Sequence, residues 1–231
     1  MELLTYADLR TKVEKDLDLE TEDFIQSDEM IGYFNEAIDE CEAEIHKLGM
    51  EDEYFLKKTA LPLVQGQEEY DLPTDIYANK IRHVVYKNGT KIFTIKRCRK
   101  DKFLKYADYQ LSPPTDFYEY FIINPTAGEK PKIVLLPASR ETSSTNVTIW
   151  HIRNANKLVG DDSVCDIQEF SSFIIKFVKW KVLQKEGHPG QDSAKQELEE
   201  QRQLMKETLE NMVPDEDSEI PGDYSIYEEM S

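Results

Sequence analysis

Between Ser27 and Leu48 the apolar positions fall at Met30, Ile31, Phe34, Ala37, Ile38, Cys41, Ile45 and Leu48. Steps of three and four place them on one stripe of a helix. Ser27 is the expected N-cap, and Asp28 and Glu29 occupy the first turn, where the helix dipole favours negative charge. Gly49 is placed to close the helix. A shorter helix is expected from Thr5 to Leu17, with Leu9, Val13 and Leu17 along one side.

Beyond residue 53 the period changes. Tyr54 to Ala60 reads as a strand or an extended entry, followed by Glu69-Tyr70-Asp71-Leu72-Pro73. Ile81–Tyr86 and Lys91–Lys96 flank Asn88-Gly89, a hairpin signal. Phe117–Ile123, Lys132–Leu136 and Asn146–Arg153 are further strand candidates, separated by Pro113-Pro114, Asn124-Pro125, Gly128 and Pro137. Helix returns at Ile167, with Phe170, Phe173, Ile174, Phe177, Val178 and Leu183 apolar round much of its circumference. Gly187-His188-Pro189-Gly190 breaks it before a second helix, Gln191–Val213.

The expected fold class is therefore α+β. A helical bundle is built from the N- and C-terminal helices, with a central antiparallel β-sheet or small sandwich of five or six strands. The parts are residues 1–53 (N-terminal helices), 54–153 (antiparallel β region with a basic hairpin), 154–213 (C-terminal helical hairpin) and 214–231 (acidic arm).

Charge sharpens this outline. Across 231 residues, 46 acids face 28 Lys and Arg, for a net charge of −18. Such a balance argues against a free-standing nucleic-acid binder and against an anionic membrane surface. Residues 1–60 hold 18 acids and 6 bases. Residues 87–105 reverse the sign, with Lys87, Lys91, Lys96, Arg97, Arg99, Lys100, Lys102 and Lys105 against Asp101 alone. This stretch reads either as a hairpin and a short 101–106 helix with solvated lysines, or as a contact surface for something acidic, the nearest candidate being another copy of the chain. After Pro214 come seven acids and no base, interspersed with Ile220, Tyr224, Ile226 and Tyr227. That stretch is either a solvating tail or an arm that orders on a partner.

No run reaches the roughly twenty apolar residues of a membrane span. No secretory signal is read at the N-terminus, and three scattered cysteines (Cys41, Cys98, Cys165) point to reduced thiols in a cytoplasm-made protein. Catalytic constellations are missing: there is no Gly-rich phosphate loop and no GxSxG. His46, His83, His151 and His188 show no metal-ligand spacing. His46 is expected on a polar helix face, and His83 and His151 as ordinary sheet residues. The expectation is a protein that is not an enzyme, with no cofactor and no metal.

The order of parts carries a resemblance. Ser27-Asp28-Glu29-Met30-Ile31-Gly32-Tyr33-Phe34-Asn35-Glu36-Ala37 is followed by Glu69-Tyr70-Asp71-Leu72-Pro73, by Ile133-Val134-Leu135-Leu136-Pro137, and by a C-terminal helix hairpin. Over about residues 3–212 this resembles the head-to-tail adaptor (head completion, connector or tail tubular) proteins of short-tailed and related tailed bacteriophages. Ile25-Gln26 departs from that family's pattern, which often has a Trp before the Ser/Asp position. The resemblance implies a homo-oligomeric ring, often twelve-fold, that docks beneath the portal protein, extends the DNA channel and receives neck or tail (nozzle) proteins. It places the chain in the virion, made in the host cytoplasm, with DNA passing through and no membrane.

On physical grounds, an acidic channel wall repels phosphates and avoids deep binding wells. Glu36, Asp39 and Glu40, with Glu29, Glu42 and Glu44, are the candidate lumen residues. Asn35 and Glu36 lie off the apolar stripe and face either a neighbouring subunit or the lumen. Lys96, Arg97 and Arg99 are candidates for the subunit interface, and Tyr224, Ile226 and Tyr227 for portal binding. The alternative reading is a soluble regulatory protein whose acidity mimics nucleic acid.

Overall fold

Helices close where glycine lets the chain turn, and strands begin where the carboxylate-rich turn after Gly49 gives way to alternation. A computed structural model describes residues 4–17, 25–98, 119–124, 129–139 and 141–212. The chain divides into two compact units, Met1–Met50 with Ala155–Ser231, and Glu51–Asn154.

In the first unit, α1 spans Tyr6–Asp16 behind a capping box. The Asp8 N–H donates to the Thr5 hydroxyl (3.3 Å), and the Thr5 N–H donates to the Asp8 carboxylate (2.9 Å). α2 spans Ser27–Lys47. Its N-cap is Gln26, not Ser27, and no side chain caps it. The Gln26 carbonyl takes both the Glu29 and Met30 N–H groups, which leaves Ser27 as the first helical residue. Gly49, at φ +75°, closes α2 in a Schellman arrangement: the Gly49 N–H reaches the His46 carbonyl and the Met50 N–H reaches that of Ile45. Of the apolar stripe, Met30, Phe34, Ala37, Ile38, Cys41 and Ile45 are buried, and Phe34 meets Tyr6 edge-on at 5.5 Å.

A 3-10 turn, Gln168–Phe170, leads into α4 (Ser171–Glu186), and Gly187, left-handed at φ +65°, separates it from α5 (Gln191–Asn211). The near-uniform apolarity of α4 follows from its position, since it contacts α1, α2 and α5. Phe173, Ile174, Phe177 and Val178 are all buried.

The second unit opens with a correction. Tyr54 and Phe55 are helical, in α3 (Glu51–Phe55), and the first strand starts only at Leu56. Glu51, Asp52 and Glu53 fill its first turn, where the helix dipole favours them. The strands are β1 (Leu56–Leu63), β2 (Glu69–Asp71), β3 (Ile76–Asn88), β4 (Lys91–Arg97), β5 (Glu119–Ile123), β6 (Lys132–Leu136) and β7 (Ser143–Arg153). They form one seven-stranded, nearly closed sheet in the order β1-β7-β3-β4-β5-β6-β2, not a sandwich. The sheet is not wholly antiparallel, because β4 and β5 run parallel through Lys96↔Glu119 and Arg97↔Tyr120. Pro62 is tolerated because β1 is an edge strand. The hairpin turn falls one residue later than the Asn88-Gly89 signal: Asn88 pairs with Lys91, so Gly89 (φ +59°) and Thr90 form the turn.

One face of the sheet is apolar and closed, with Leu63, Val84, Ile95, Ile133, Val147 and Ile149 at its centre. The Tyr70 hydroxyl donates to the Gln67 carbonyl (2.9 Å) and accepts the Val64 N–H (3.3 Å), tying β2 to the end of β1. The fold is thus α+β, with five α-helices and seven strands among the described residues. The 101–106 helix and the 214–231 arm lie outside the described residues.

Candidate functional site

The candidate lumen carboxylates on the polar side of α2 meet cations from the same chain. Glu36 pairs with Lys181 of α4 at 2.8 Å, Glu40 with Arg202 of α5 at 2.6 Å, and Asp39 with Lys157. Glu29 pairs with Lys185 of α4, and Glu44 lies 3.4 Å from Lys47 and 3.9 Å from Lys206. Five acids at helical spacing therefore meet cations from three other segments. The candidate lumen side chains stay half exposed, at 52% (Glu36), 59% (Asp39) and 42% (Glu40). Pairs this exposed are worth about 0–1 kcal/mol each. Their main effect here is to cancel charge locally. The Lys185 and Tyr33 hydrogen bonds hold the Glu29 carboxyl below its ordinary range. Burial, then Glu29 itself, pushes the Tyr33 hydroxyl up to about 12.

Asn35 is engaged within its own chain. Its amide donates to the Leu158 carbonyl (3.0 Å) and its oxygen accepts the Leu158 N–H (2.8 Å). This two-bond clamp fixes the segment after β7 against α2, and Ala37, fully buried, lets that side pack closely. Glu42 is also reassigned. It is 7% exposed and accepts the buried Ala155 N–H at 3.0 Å, with His46 Nε2 3.8 Å away. His46 is correspondingly buried, not on a polar face, with a side chain 7% exposed. Sequence reasoning missed both anchors because their partners lie more than 110 residues away.

In the sheet unit, the cations divide into two groups. Lys80 and Arg82 converge on buried Glu51 (2.8 and 3.0 Å), and Arg82 also holds Asp52 (2.7 Å). Burial works against the charge of Glu51, yet Lys80 and Arg82 outweigh it and hold the carboxyl below its ordinary range. Asp75 takes Lys57 at 2.6 Å and fully buried His151 at 3.3 Å, so His151 is a sheet residue with a polar role in the core. By contrast Lys96 and Arg97 are exposed and have no ion-pair partner among the described residues. Arg99, Tyr224, Ile226 and Tyr227 lie outside the described residues.

Among the described residues no group of three or more His, Cys, Asp or Glu is arranged to hold a metal. Cys41, Cys98 and Cys165 are buried free thiols, and burial pushes those of Cys41 and Cys165 up, away from the reactive thiolate.

Compared with known families, residues 4–219 match the family model described as SU10 adaptor protein. The match ends before Tyr224, Ile226 and Tyr227. No curated protein matches the chain.

Proposed function

The chain belongs to the SU10 adaptor protein family, a family of structural phage adaptors and not of enzymes, and from that premise we propose that it is the head-to-tail adaptor of a virion. In this reading copies form a ring, twelve-fold, below the portal protein. The ring extends the DNA channel and receives the neck or tail proteins on its far side. The observation that carries the proposal is the family match over residues 4–219, which spans both compact units.

Each part takes a role in the ring. α1, α2, α4 and α5 form a helical bundle that is the ring body. Residues 54–153 supply the contact between neighbours through Lys96, Arg97 and Arg99. The arm, residues 214–231, docks on the portal through Tyr224, Ile226 and Tyr227. Glu36, Asp39 and Glu40 line the channel. Two features support this last assignment: their carboxylates are half exposed, and the one lysine of α2, Lys47, is engaged by Glu44. DNA sliding past such a face meets no unpaired cation on α2 to hold it. The nucleic-acid-mimic reading is weaker, because a mimic needs uncancelled carboxylates and Glu29, Glu36, Asp39, Glu40 and Glu44 of α2 are paired. Among the described residues no helix is long and apolar enough to cross a membrane.

The test is to mix the full chain with portal rings and examine the product by native mass spectrometry and negative-stain imaging. Rings stacked on the portal are expected, and a truncation after Val213 should fold but fail to dock. A chain that ignores the portal and binds a DNA-processing enzyme tightly would overturn the proposal. Channel lining has its own readout: a ring map with Glu36, Asp39 and Glu40 facing outward would remove that assignment.

A further inference from the structure

The closed sheet has a second face, and strand register defines it. Lys58 of β1, Trp150 of β7 and His83 of β3 lie opposite one another in one row. Ala60, Thr148, Val85 and Thr94 make the next row, and Lys87 pairs with Ile92 beyond it. Side chains alternate across a strand, so these residues share the face opposite to buried Val84, Ile95, Val147 and Ile149. Lys96 continues the same face along β4.

Three properties set this face apart. It is open: Lys58, Lys87, His83 and Thr94 are exposed, and Ile92 is 69% exposed. It carries no carboxylate at any of these positions, in a chain with 46 acids. It is also built for contact. Lys58 lies over the Trp150 ring at 5.6 Å, and Lys58, Trp150, Val85, Lys87 and Ile92 border a cleft of about 590 Å³. Lys58 and Lys87 have no ion-pair partner among the described residues, whereas Lys57, Lys80, Arg82 and Lys132 in the same unit are all paired.

The complement occurs on the chain itself, on the outward side of α5. Leu204 is 53% exposed, an apolar residue on an otherwise charged stripe. Glu200 precedes it by four residues and Glu207 follows by three, so all three share one helix face. Both acids are exposed and neither meets a cation among the described residues, where Glu207 accepts the Gln203 amide. They stand about 10 Å apart along the axis. Lys58 and Lys87 stand two strands and two rows apart, about 16 Å between backbones. Flexible four-carbon stems bring their ammonium groups within that shorter spacing.

We propose that this outer face of β1-β7-β3-β4 is the docking surface for α5 of a second copy. Leu204 packs against Val85, Trp150 and Ile92, and Glu200 and Glu207 pair with Lys58 and Lys87. The contact is heterologous, sheet to helix, the type that generates a ring when its rotation closes. It rests on the ring reading above and names the two surfaces that build the ring. An aromatic anchor at the centre with polar and charged groups at the rim is a common arrangement of protein contacts.

The experiment is a charge swap in the full chain. Two double variants are made, Lys58→Glu with Lys87→Glu and Glu200→Lys with Glu207→Lys, together with the quadruple variant that combines them. All four positions are exposed, and circular dichroism checks that each variant folds. Self-association is read by native mass spectrometry and sedimentation, with and without portal rings. Each double variant should weaken association at least tenfold, and the quadruple variant should recover it. Association unchanged in either double variant, or no recovery in the quadruple, overturns the proposal while leaving the ring reading intact. A wild-type chain that stays monomeric both alone and with portal overturns both.

Discussion

Replacing Asn35 with Ala tests the clamp that joins α2 to the chain after β7. The substitution removes two hydrogen bonds, at 3.0 and 2.8 Å, and leaves the N–H and C=O of Leu158 without those partners. Leu158 is 1% exposed, so water cannot easily replace the lost amide. A hydrogen bond contributes about 1 kcal/mol net, and an orphaned buried group costs about 1–3 kcal/mol. Against this, Ala is the better helix former by about 0.5 kcal/mol. The balance is a loss of about 2–3 kcal/mol in the helical unit. Because the chain has two compact units, the assay should be local: amide hydrogen exchange of residues 155–166, supported by urea unfolding. That segment should exchange about 30–150-fold faster in the variant. Glu36→Gln, at the next position, is the control. It breaks a pair whose acid is 52% exposed and should change stability by less than about 1 kcal/mol. If Asn35→Ala cost under about 0.5 kcal/mol, or if the two substitutions cost the same, the clamp would not be what makes this motif structural.

Two glycines of one helix region should respond with opposite signs. Gly49→Ala forces a side chain into φ +75° and should lose about 1 kcal/mol, whereas Gly32→Ala, mid-helix with open space around it, should gain about 0.5–1 kcal/mol; thermal melts decide. Glu51 makes stability depend on acid. Its folded pKa is lowered, so its contribution is full above the unfolded value of about 4.3 and is lost as pH falls through the folded value. Denaturant midpoints measured from pH 6 to pH 2 should fall less steeply for Glu51→Gln than for the wild type, and parallel curves would remove Glu51 from the account. The buried thiols of Cys41, Cys98 and Cys165 should resist iodoacetamide in the folded chain and all react in urea. Rapid native labelling, followed by mass spectrometry, would show that the helical packing around Cys41 and Cys165 opens easily.

What was legible in the sequence was what repeats locally. The α2 stripe, the Thr5 cap, the breaks at Gly49 and Gly187 and most strand positions follow from spacing and from residues that end helices. α3 was hidden because five residues are too few to show a helical period, and its Tyr54 and Phe55 look like strand formers. The parallel pairing of β4 with β5 depends on the connection between them, whose Pro113-Pro114 marks a break but not the direction in which the chain returns. The site was least legible. Acid content on α2 was plain, but its meaning depends on Lys157, Lys181, Lys185 and Arg202, which are distant in sequence and unremarkable there. Glu42 shows the same limit: it belongs to a row of similar glutamates, and only the distant Ala155 N–H distinguishes it.

These pairings change how the net charge of −18 acts. On α2 the excess negative charge was expected to repel phosphates. Instead the helical unit uses its lysines and arginines on its own carboxylates, from Glu29·Lys185 through Glu40·Arg202. Near-neutral pairs exert little force beyond a Debye length of about 8 Å at physiological salt, so long-range attraction between copies has to come from charges left over. Among those are the acids of α5 at Glu200 and Glu207, and the cations of the sheet at Lys58, Lys87, Lys96 and Arg97. They have opposite signs and sit on different compact units. A copy therefore repels others through its net charge but offers two facing patches of opposite sign, and these favour one orientation of approach. Salt reads this out directly. If the reasoning holds, raising ionic strength from about 0.05 to 0.5 M weakens association of the wild type and of the charge-swapped quadruple variant alike, because both keep complementary pairs. In the two double variants the facing charges have the same sign, so salt strengthens whatever association remains. Association that responds identically to salt in all four proteins would mean that these charges do not face each other across the contact.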